Sequence, residues 1–243
     1  MGETWDQFGH DYDHPHFSGE ASVYLIASTP RSGSHFLGHL LFGTGALGSP
    51  LEYLHPAHMR TWMSVLGVDS LSAMMESLSR RRTSPSGWFG IKAHWPEFAR
   101  IAGDEALRDA LPIRRYIFIR RRDRIAQAIS ALIAFQTKAL ISFHAPIGEP
   151  RYDFGAIRGA VAGLDAQNRQ WEDFFERRSI APLIVDYEDL VADADRVVDA
   201  ILTDLGVARS NRTGPTWMPE RQASDLNARW REQYLQDMAS QPA

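Results

Sequence analysis

Leu25-Ile26-Ala27-Ser28-Thr29-Pro30-Arg31-Ser32-Gly33-Ser34-His35-Phe36-Leu37 joins an apolar run to a small, basic, hydroxyl-bearing loop and then to a second apolar series. Ser22 to Ala27 predicts a buried strand, and Phe36, Leu37, Leu40 and Leu41 recur at the spacing that places them on one helical face. The loop between them reads as an anion site. The first N–H groups of a helix have no intrahelical partner and carry the positive end of its dipole, so an anion seated there collects several donors at once. Arg31 adds a full charge, Ser32 and Ser34 add hydroxyls, and Gly33 lets the main chain approach closely. An ATP-binding Walker loop needs a Lys-Ser or Lys-Thr pair after two spaced glycines, which this segment lacks. Arginine in the loop suits direct binding of phosphate or sulfate without a bridging metal. An ordinary βα turn with a stray arginine is the plain alternative.

The 243 residues, 44% of them hydrophobic, are enough for a substantial core, and no shift in composition splits the chain. The expected organisation is a flexible N-terminal segment, residues 1–20, followed by a single domain over 21–243. No apolar run reaches the roughly 20 residues that cross a bilayer, and Met1 to Phe17 is polar, so a cytoplasmic protein is expected. Cysteine is absent, which excludes disulfides, thiol nucleophiles and thiolate metal sites. A net charge of −4 argues against a nucleic-acid coat. Lys92 and Lys138 are the only lysines; every other basic side chain apart from histidine is arginine.

Beyond the loop, strands alternate with helices. Gly87 to Ala93, Ile113 to Arg120 and Pro182 to Tyr187 read as strands. Asp123 is an N-cap candidate for a helix with Ile125, Ala128, Ile129, Leu132 and Ile133 on one face, and Asp193 to Leu205 reads as a helix ended by Gly206. The alternation predicts an α/β fold with a mostly parallel central sheet flanked by helices, and ligands at the carboxyl ends of its strands. Residues 1–20, Arg80 to Gly87 and Phe143 to Phe154 are the expected mobile stretches. Tyr116 to Ile119 runs into Arg120-Arg121-Arg122-Asp123 and a helix bearing Gln127 and Ser130, which makes a second cationic cluster at a strand end. Two anion sites in one cleft suit a ligand charged at both ends, such as a nucleotide phosphorylated on both sides of its ribose. For any single arginine here, a solvated patch or a carboxylate network is the competing reading.

Taken in order, Arg31-Ser32-Gly33-Ser34, Pro50-Leu51-Glu52-Tyr53, Gly90-Ile91-Lys92, Arg121-Arg122-Asp123 with Gln127-Ala128-Ile129-Ser130, and Glu220-Arg221-Gln222-Ala223 resemble the trehalose 2-sulfotransferase family and its nodulation-factor relatives, from about Ala21 to about Tyr234. The resemblance implies a P-loop-NTPase-like three-layer fold and transfer of a sulfuryl group from 3′-phosphoadenosine 5′-phosphosulfate (PAPS) to a carbohydrate hydroxyl, without a metal. It assigns Arg31, Ser32, Gly33 and Ser34, with His35 at the same loop, to the 5′-phosphosulfate. Arg121 or Arg122, with Ser130, goes to the 3′-phosphate, Arg221 to a closing loop, and Glu52 to the catalytic base. It also implies a homodimer.

The chemistry is compatible. An in-line transfer needs alignment and stabilisation of the leaving oxygen, which Arg31 and the loop amides supply, and Glu52 can take the acceptor proton with its pKa shifted toward neutrality by burial. His35 competes for the role of base, standing where many relatives carry threonine. Ser49 replaces an acidic residue of the trehalose enzyme's segment, which points to a different acceptor. Trp62, Trp88 and Trp95 could stack on sugars but more often serve as core or rim packing. His94, like His10, His14 and His16, belongs to no convincing metal set. A P-loop kinase and a non-catalytic nucleotide- or glycan-binding protein are the other functional classes considered.

Overall fold

The computed structural model describes residues 6–103, 111–139, 147–210 and 225–240. Strands β1 (Ser22–Ser28), β2 (Trp88–His94), β3 (Ile113–Arg120) and β4 (Leu183–Asp186) form one parallel sheet in the order β2-β1-β3-β4. The strand seen in the opening stretch is therefore central. Its residues alternate between two apolar layers: Val23, Leu25 and Ala27 enter one core cluster, and Tyr24 and Ile26 enter the other. A strand buried on both faces reads as a continuous apolar run because helices cover both sides of the sheet.

Helices α1 (Ser34–Gly43), α2 (Pro56–Leu66), α3 (Leu71–Arg82), α4 (Trp95–Ala102), α5 (Arg124–Thr137), α6 (Phe154–Arg177), α7 (Tyr187–Ala192), α8 (Ala194–Asp204) and α9 (Asp225–Ala239) complete the described elements. Trp62, Met74, Phe98, Trp171 and Phe175 bring α2, α3, α4 and α6 onto one face of the sheet. Leu37, Leu41, Leu190, Val198 and Ile201 bring α1, α7 and α8 onto the other. A third cluster, with Ala128, Ile129, Ile157, Leu164, Trp230 and Tyr234, binds α5, α6 and α9 together. Local rules set the helix starts. Asp123 accepts from the Ala126 N–H and Asp193 from the Arg196 N–H, as the sequence suggests, and Gly206 follows α8 with φ of 70°.

The stretch Arg80 to Gly87 differs from its expected character. Arg80 to Arg82 form the last turn of α3, and Arg82, Thr83 and Ser84 are fully buried. The cause is a long-range partner. Arg82 has 0% exposure; its Nε lies 2.9 Å from Asp13 Oδ1 and its Nη2 donates to the Gly9 carbonyl at 2.7 Å. Residues expected to belong to a loose leader thus pack on the domain, with Tyr12 buried against Phe42 and Phe8 tilted onto Trp62. Trp62 lies in the core, and the partly buried Trp88 and Trp95 pack against it. Replacing Arg82 by leucine leaves Asp13 and two carbonyls without their shared donor. Asp13 keeps Arg81 at 2.9 Å, so the loss is that of the Arg82 contacts, about 1–3 kcal/mol, and the R82L urea midpoint is expected to fall accordingly while the helix signal persists below it.

Candidate active site

All four strands run in one direction, so their carboxyl ends gather Ser28, His94, Arg120 and Asp186 along one edge of the sheet. The loop after β1 turns there through two left-handed residues, Arg31 at φ 61° and Gly33 at φ 90°. Gly33 is required twice over, because a Cβ at that position would also collide with the Tyr187 ring. Three long-range bonds fix the loop. Gln127, fully buried on α5, donates to Thr29 Oγ1 at 2.9 Å and to the Pro30 carbonyl at 2.7 Å, and Trp171 Nε1 donates to the Ser28 carbonyl at 2.9 Å.

The loop leaves donors open. Asp123, Asp153 and Asp193 cap their helices with side chains, whereas α1 starts at Gly33 with no side-chain cap and no acidic residue in its first turn. Ser32 is fully buried, and its hydroxyl has no hydrogen-bond partner among the described residues. An oxyanion placed there would satisfy both the helix N–H groups and that hydroxyl.

Arg31 and Ser130 come together as expected, with Arg31 Nε donating to Ser130 Oγ at 3.0 Å. Burial first, and then the nearby Arg121 charge, pushes Arg31 below its ordinary pKa. Two guanidinium groups in one neighbourhood, beside the open start of α1, suit an anionic ligand. Arg121 lies with its Cζ 4.7 Å from the centre of the Tyr187 ring, the ring that also lies on Gly33. Arg122 is differently placed. Its Nη2 donates to Asp189 Oδ1 at 2.8 Å, its Nη1 to Asp186 Oδ2 at 3.2 Å, and its side chain is 52% exposed. Arg221 lies outside the described residues.

Glu52 reaches the same edge by a separate route. Leu51 forms a parallel bridge with Ile91, and its carbonyl accepts from the Lys92 N–H at 3.0 Å, so the 50–53 segment runs along the outer side of β2. Glu52 Oε1 then lies 2.6 Å from Lys92 Nζ and 3.4 Å from His94 Nε2. Burial pushes the Glu52 carboxyl up, yet Lys92, with His94 beside it, outweighs burial and holds the group well below the usual carboxylate range. This reverses the expectation of a base shifted toward neutrality, because the sequence does not show that Lys92 and Glu52 meet. His35 is driven well below the ordinary histidine value by burial and then by the charges of Lys92 and His39. Its ring packs edge-on against His39 at 4.5 Å. Ser49 is spent on the fold: its hydroxyl donates to the Tyr12 carbonyl at 2.5 Å and is fully buried.

Lys92, His94, Gln127 and Tyr187 belong to the site although the sequence reading assigned none of them a role. One signal was available for Lys92: a lysine in a protein that otherwise uses arginine, set in an apolar strand at its carboxyl end. Tyr187 gave none, since only the folded chain brings it over Gly33.

Comparison with known proteins agrees with this geometry. The sequence model of the Stf0 sulphotransferase family matches residues 23–237. The chain is 28% identical to a protein named trehalose 2-sulfotransferase from Mycolicibacterium smegmatis, over 93% of this chain and 96% of that protein. The sulfotransferase domain of the olefin synthase from Synechococcus PCC 7002 superposes with a TM-score of 0.53 at 18% identity, covering 93% of this chain and 98% of that one. That likeness shows a P-loop-like sulfotransferase fold, and the kinase and non-catalytic readings give way to it and to the family match. From its loop, its parallel sheet and a match over nearly its whole length, the chain belongs to the Stf0 sulphotransferase family and is a sulfotransferase.

Proposed function

We propose that this sulfotransferase takes its sulfuryl group from PAPS and transfers it to a hydroxyl of a carbohydrate or glycosylated metabolite. The observation that carries the donor reading is the orphaned Ser32 hydroxyl at the uncapped start of α1, with Arg31 held beside it by Ser130 and Arg121 in the same electrostatic neighbourhood. A donor with a phosphosulfate at one end and a 3′-phosphate at the other supplies anions for both guanidinium groups and acceptors for the loop.

In this reading Arg31, Ser32, Gly33 and Ser34, with His35 at the first turn of α1, hold the phosphosulfate, and Arg31 offsets the charge that builds on the leaving oxygen. Arg121 and Ser130 hold the 3′-phosphate. The ion pairs of Arg122 with three carboxylates and its exposure favour Arg121 for that role. Arg221 closes over the nucleotide. Glu52 accepts the proton of the acceptor hydroxyl through Oε2, since Lys92 occupies Oε1. The sugar class of the acceptor rests on the named relative, which acts on trehalose. The buried Ser49, where the resemblance has an acidic side chain, favours an acceptor other than trehalose itself. A homodimer and a cytoplasmic setting belong to the same proposal. No described helix is long and apolar enough to cross a membrane.

Incubation with labelled PAPS and a panel of sugars, trehalose included, is expected to yield a sulfated product in the presence of chelator. By calorimetry, R31A and R121A should weaken 3′-phosphoadenosine 5′-phosphate binding about 10- to 100-fold, the value of a charge-assisted contact, while R122A should change it less than about threefold. Glu52→Gln should lower kcat by about 10²- to 10⁴-fold and leave nucleotide affinity intact. The Lys92→Met exchange removes the cation that favours the ionised carboxylate, so the Glu52 pKa should move up, as carbon-13 titration of the glutamate carboxyls would read.

A further inference from the structure

Behind Glu52 the structure holds a second acid–base group that neither the family match nor the proposed roles use. His94 ends β2, two residues beyond Lys92, and its ring lies between two partners: Nε2 is 3.4 Å from Glu52 Oε1, and Nδ1 is 2.9 Å from Ser28 Oγ. Ser28 settles the direction of these contacts. Its hydroxyl also lies 3.0 Å from the Ala93 carbonyl, which can only accept, so the single hydroxyl proton goes there. With that proton on Ala93, Nδ1 donates to Ser28 Oγ, and the neutral form of the ring then presents its Nε2 lone pair to the carboxylate oxygen. Two acceptors face each other one proton short of a hydrogen bond, and Lys92 Nζ at 2.6 Å from the same oxygen offsets their repulsion.

We propose that His94 is the second station of a proton relay, receiving through Nε2 the proton that Glu52 takes from the acceptor hydroxyl. The inference rests on the reading of Glu52 as base. As the acceptor oxygen forms its bond to sulfur, its O–H bond breaks and the proton passes to the Glu52 carboxyl. The bond from sulfur to the donor's phosphate oxygen breaks with its electron pair left on that oxygen. A half-turn of the carboxyl about its Cγ–Cδ bond exchanges its two oxygens, bringing the protonated one to His94 and the other to Lys92, and the proton then passes to Nε2, restoring the carboxylate and forming an imidazolium. The His94 side chain is 19% exposed, and it returns the proton to solvent before the next turnover.

The groups around the ring suit this cycle. Burial favours the neutral imidazole, Glu52 opposes burial, Lys92 on the same strand acts with it, and Glu97 on α4 sides with Glu52. Burial thus lowers the proton affinity of the ring, and the two carboxylates stabilise it once it is charged. The relay also answers a difficulty in the site. A carboxylate held low by Lys92 surrenders a captured proton readily, and it needs a nearby group of higher proton affinity to take it.

The test uses the intact protein with the sugar selected by the panel, together with one measurement that needs no acceptor. Long-range proton–nitrogen spectra should show resting His94 as the Nδ1–H tautomer; the Nε2–H tautomer overturns the relay. His94→Asn keeps a polar atom toward Ser28 and should lower kcat about 10- to 100-fold, with donor KM and nucleotide affinity within about twofold. The acid limb of the wild-type kcat profile, where His94 is already protonated, should vanish in H94N, and added imidazole should restore rate to His94→Gly. Wild-type kcat in H94N, or a loss with the acid limb unchanged and no imidazole rescue, overturns it. A Glu52→Gln variant at full rate sinks the base assignment itself, whereas an inactive E52Q beside a fully active H94N sinks only the relay.

Discussion

A buried ammonium at the end of an apolar strand imposes a condition on everything around it. Lys92 is drawn into the interior by the alternation of β2, between Ile91 and Ala93, and a lysine so enclosed keeps its charge only with a close anion and further hydrogen bonds. Glu52 provides the anion at 2.6 Å. For it to do so, the chain after α1 must return along the outer edge of the sheet, and the Leu51 bridge to Ile91 together with the Lys92 N–H to the Leu51 carbonyl are the backbone expression of that return. The pair therefore sets the position of an acidic side chain at the mouth of the cleft. It also fixes that side chain's chemistry, since the same contact that anchors Glu52 depresses its basicity.

The donor side obeys the opposite rule. Arg120 and Arg122 are matched with the carboxylates of Asp186, Glu188 and Asp189, whereas Arg31 and Arg121 approach each other closely enough that each disfavours the other's charge. Tyr187 makes this tolerable: its ring gives Arg121 an electron-rich face and covers Gly33, holding the second cation against the loop that carries the first. The α5 residues Gln127 and Ser130 reach the loop from the side of the second cluster, one through Thr29 and Pro30 and the other through Arg31. Loop and cluster are thus one hydrogen-bonded unit, and their spacing is fixed by a helix.

The fold was legible because its signals are local. The continuous burial of β1, the cap at Asp123 and the stop at Gly206 each follow from residues within a few positions of one another, and the strands at 113–120 and 88–94 follow from β-branched and aromatic runs. The loop residues and Glu52 were legible as chemistry. What escaped the sequence was pairing over distance. Arg82 looked like part of a basic linker because Asp13 and the Gly9 carbonyl, some 70 positions away, are invisible to composition. That Arg122 meets carboxylates while Arg121 lies on the Tyr187 ring could not be read from their order in the chain, since those carboxylates sit on β4 and α7. Glu52 was expected to be a base tuned upward, and Lys92, 40 positions later, reverses the shift.

That reversal rests first on Lys92, with His94 and His58 acting in the same direction. His35 feels Lys92, Arg31 and Glu52 together, which places the loop cation and the strand cation in the same electrostatic neighbourhood as the carboxylate. Lys92 favours the carboxylate of Glu52, whereas burial first, and Lys92 after it, lowers the proton affinity of His35 and His94. A polyanion seated on Arg31 and Arg121 subtracts from the field of these cations, and by Coulomb's law the proton affinities of all three groups rise in the same direction. In the proposed reading, the Glu52 carboxylate, held low by Lys92, gains basicity as the donor's charge arrives, which ties the strength of the base to the presence of the group to be transferred.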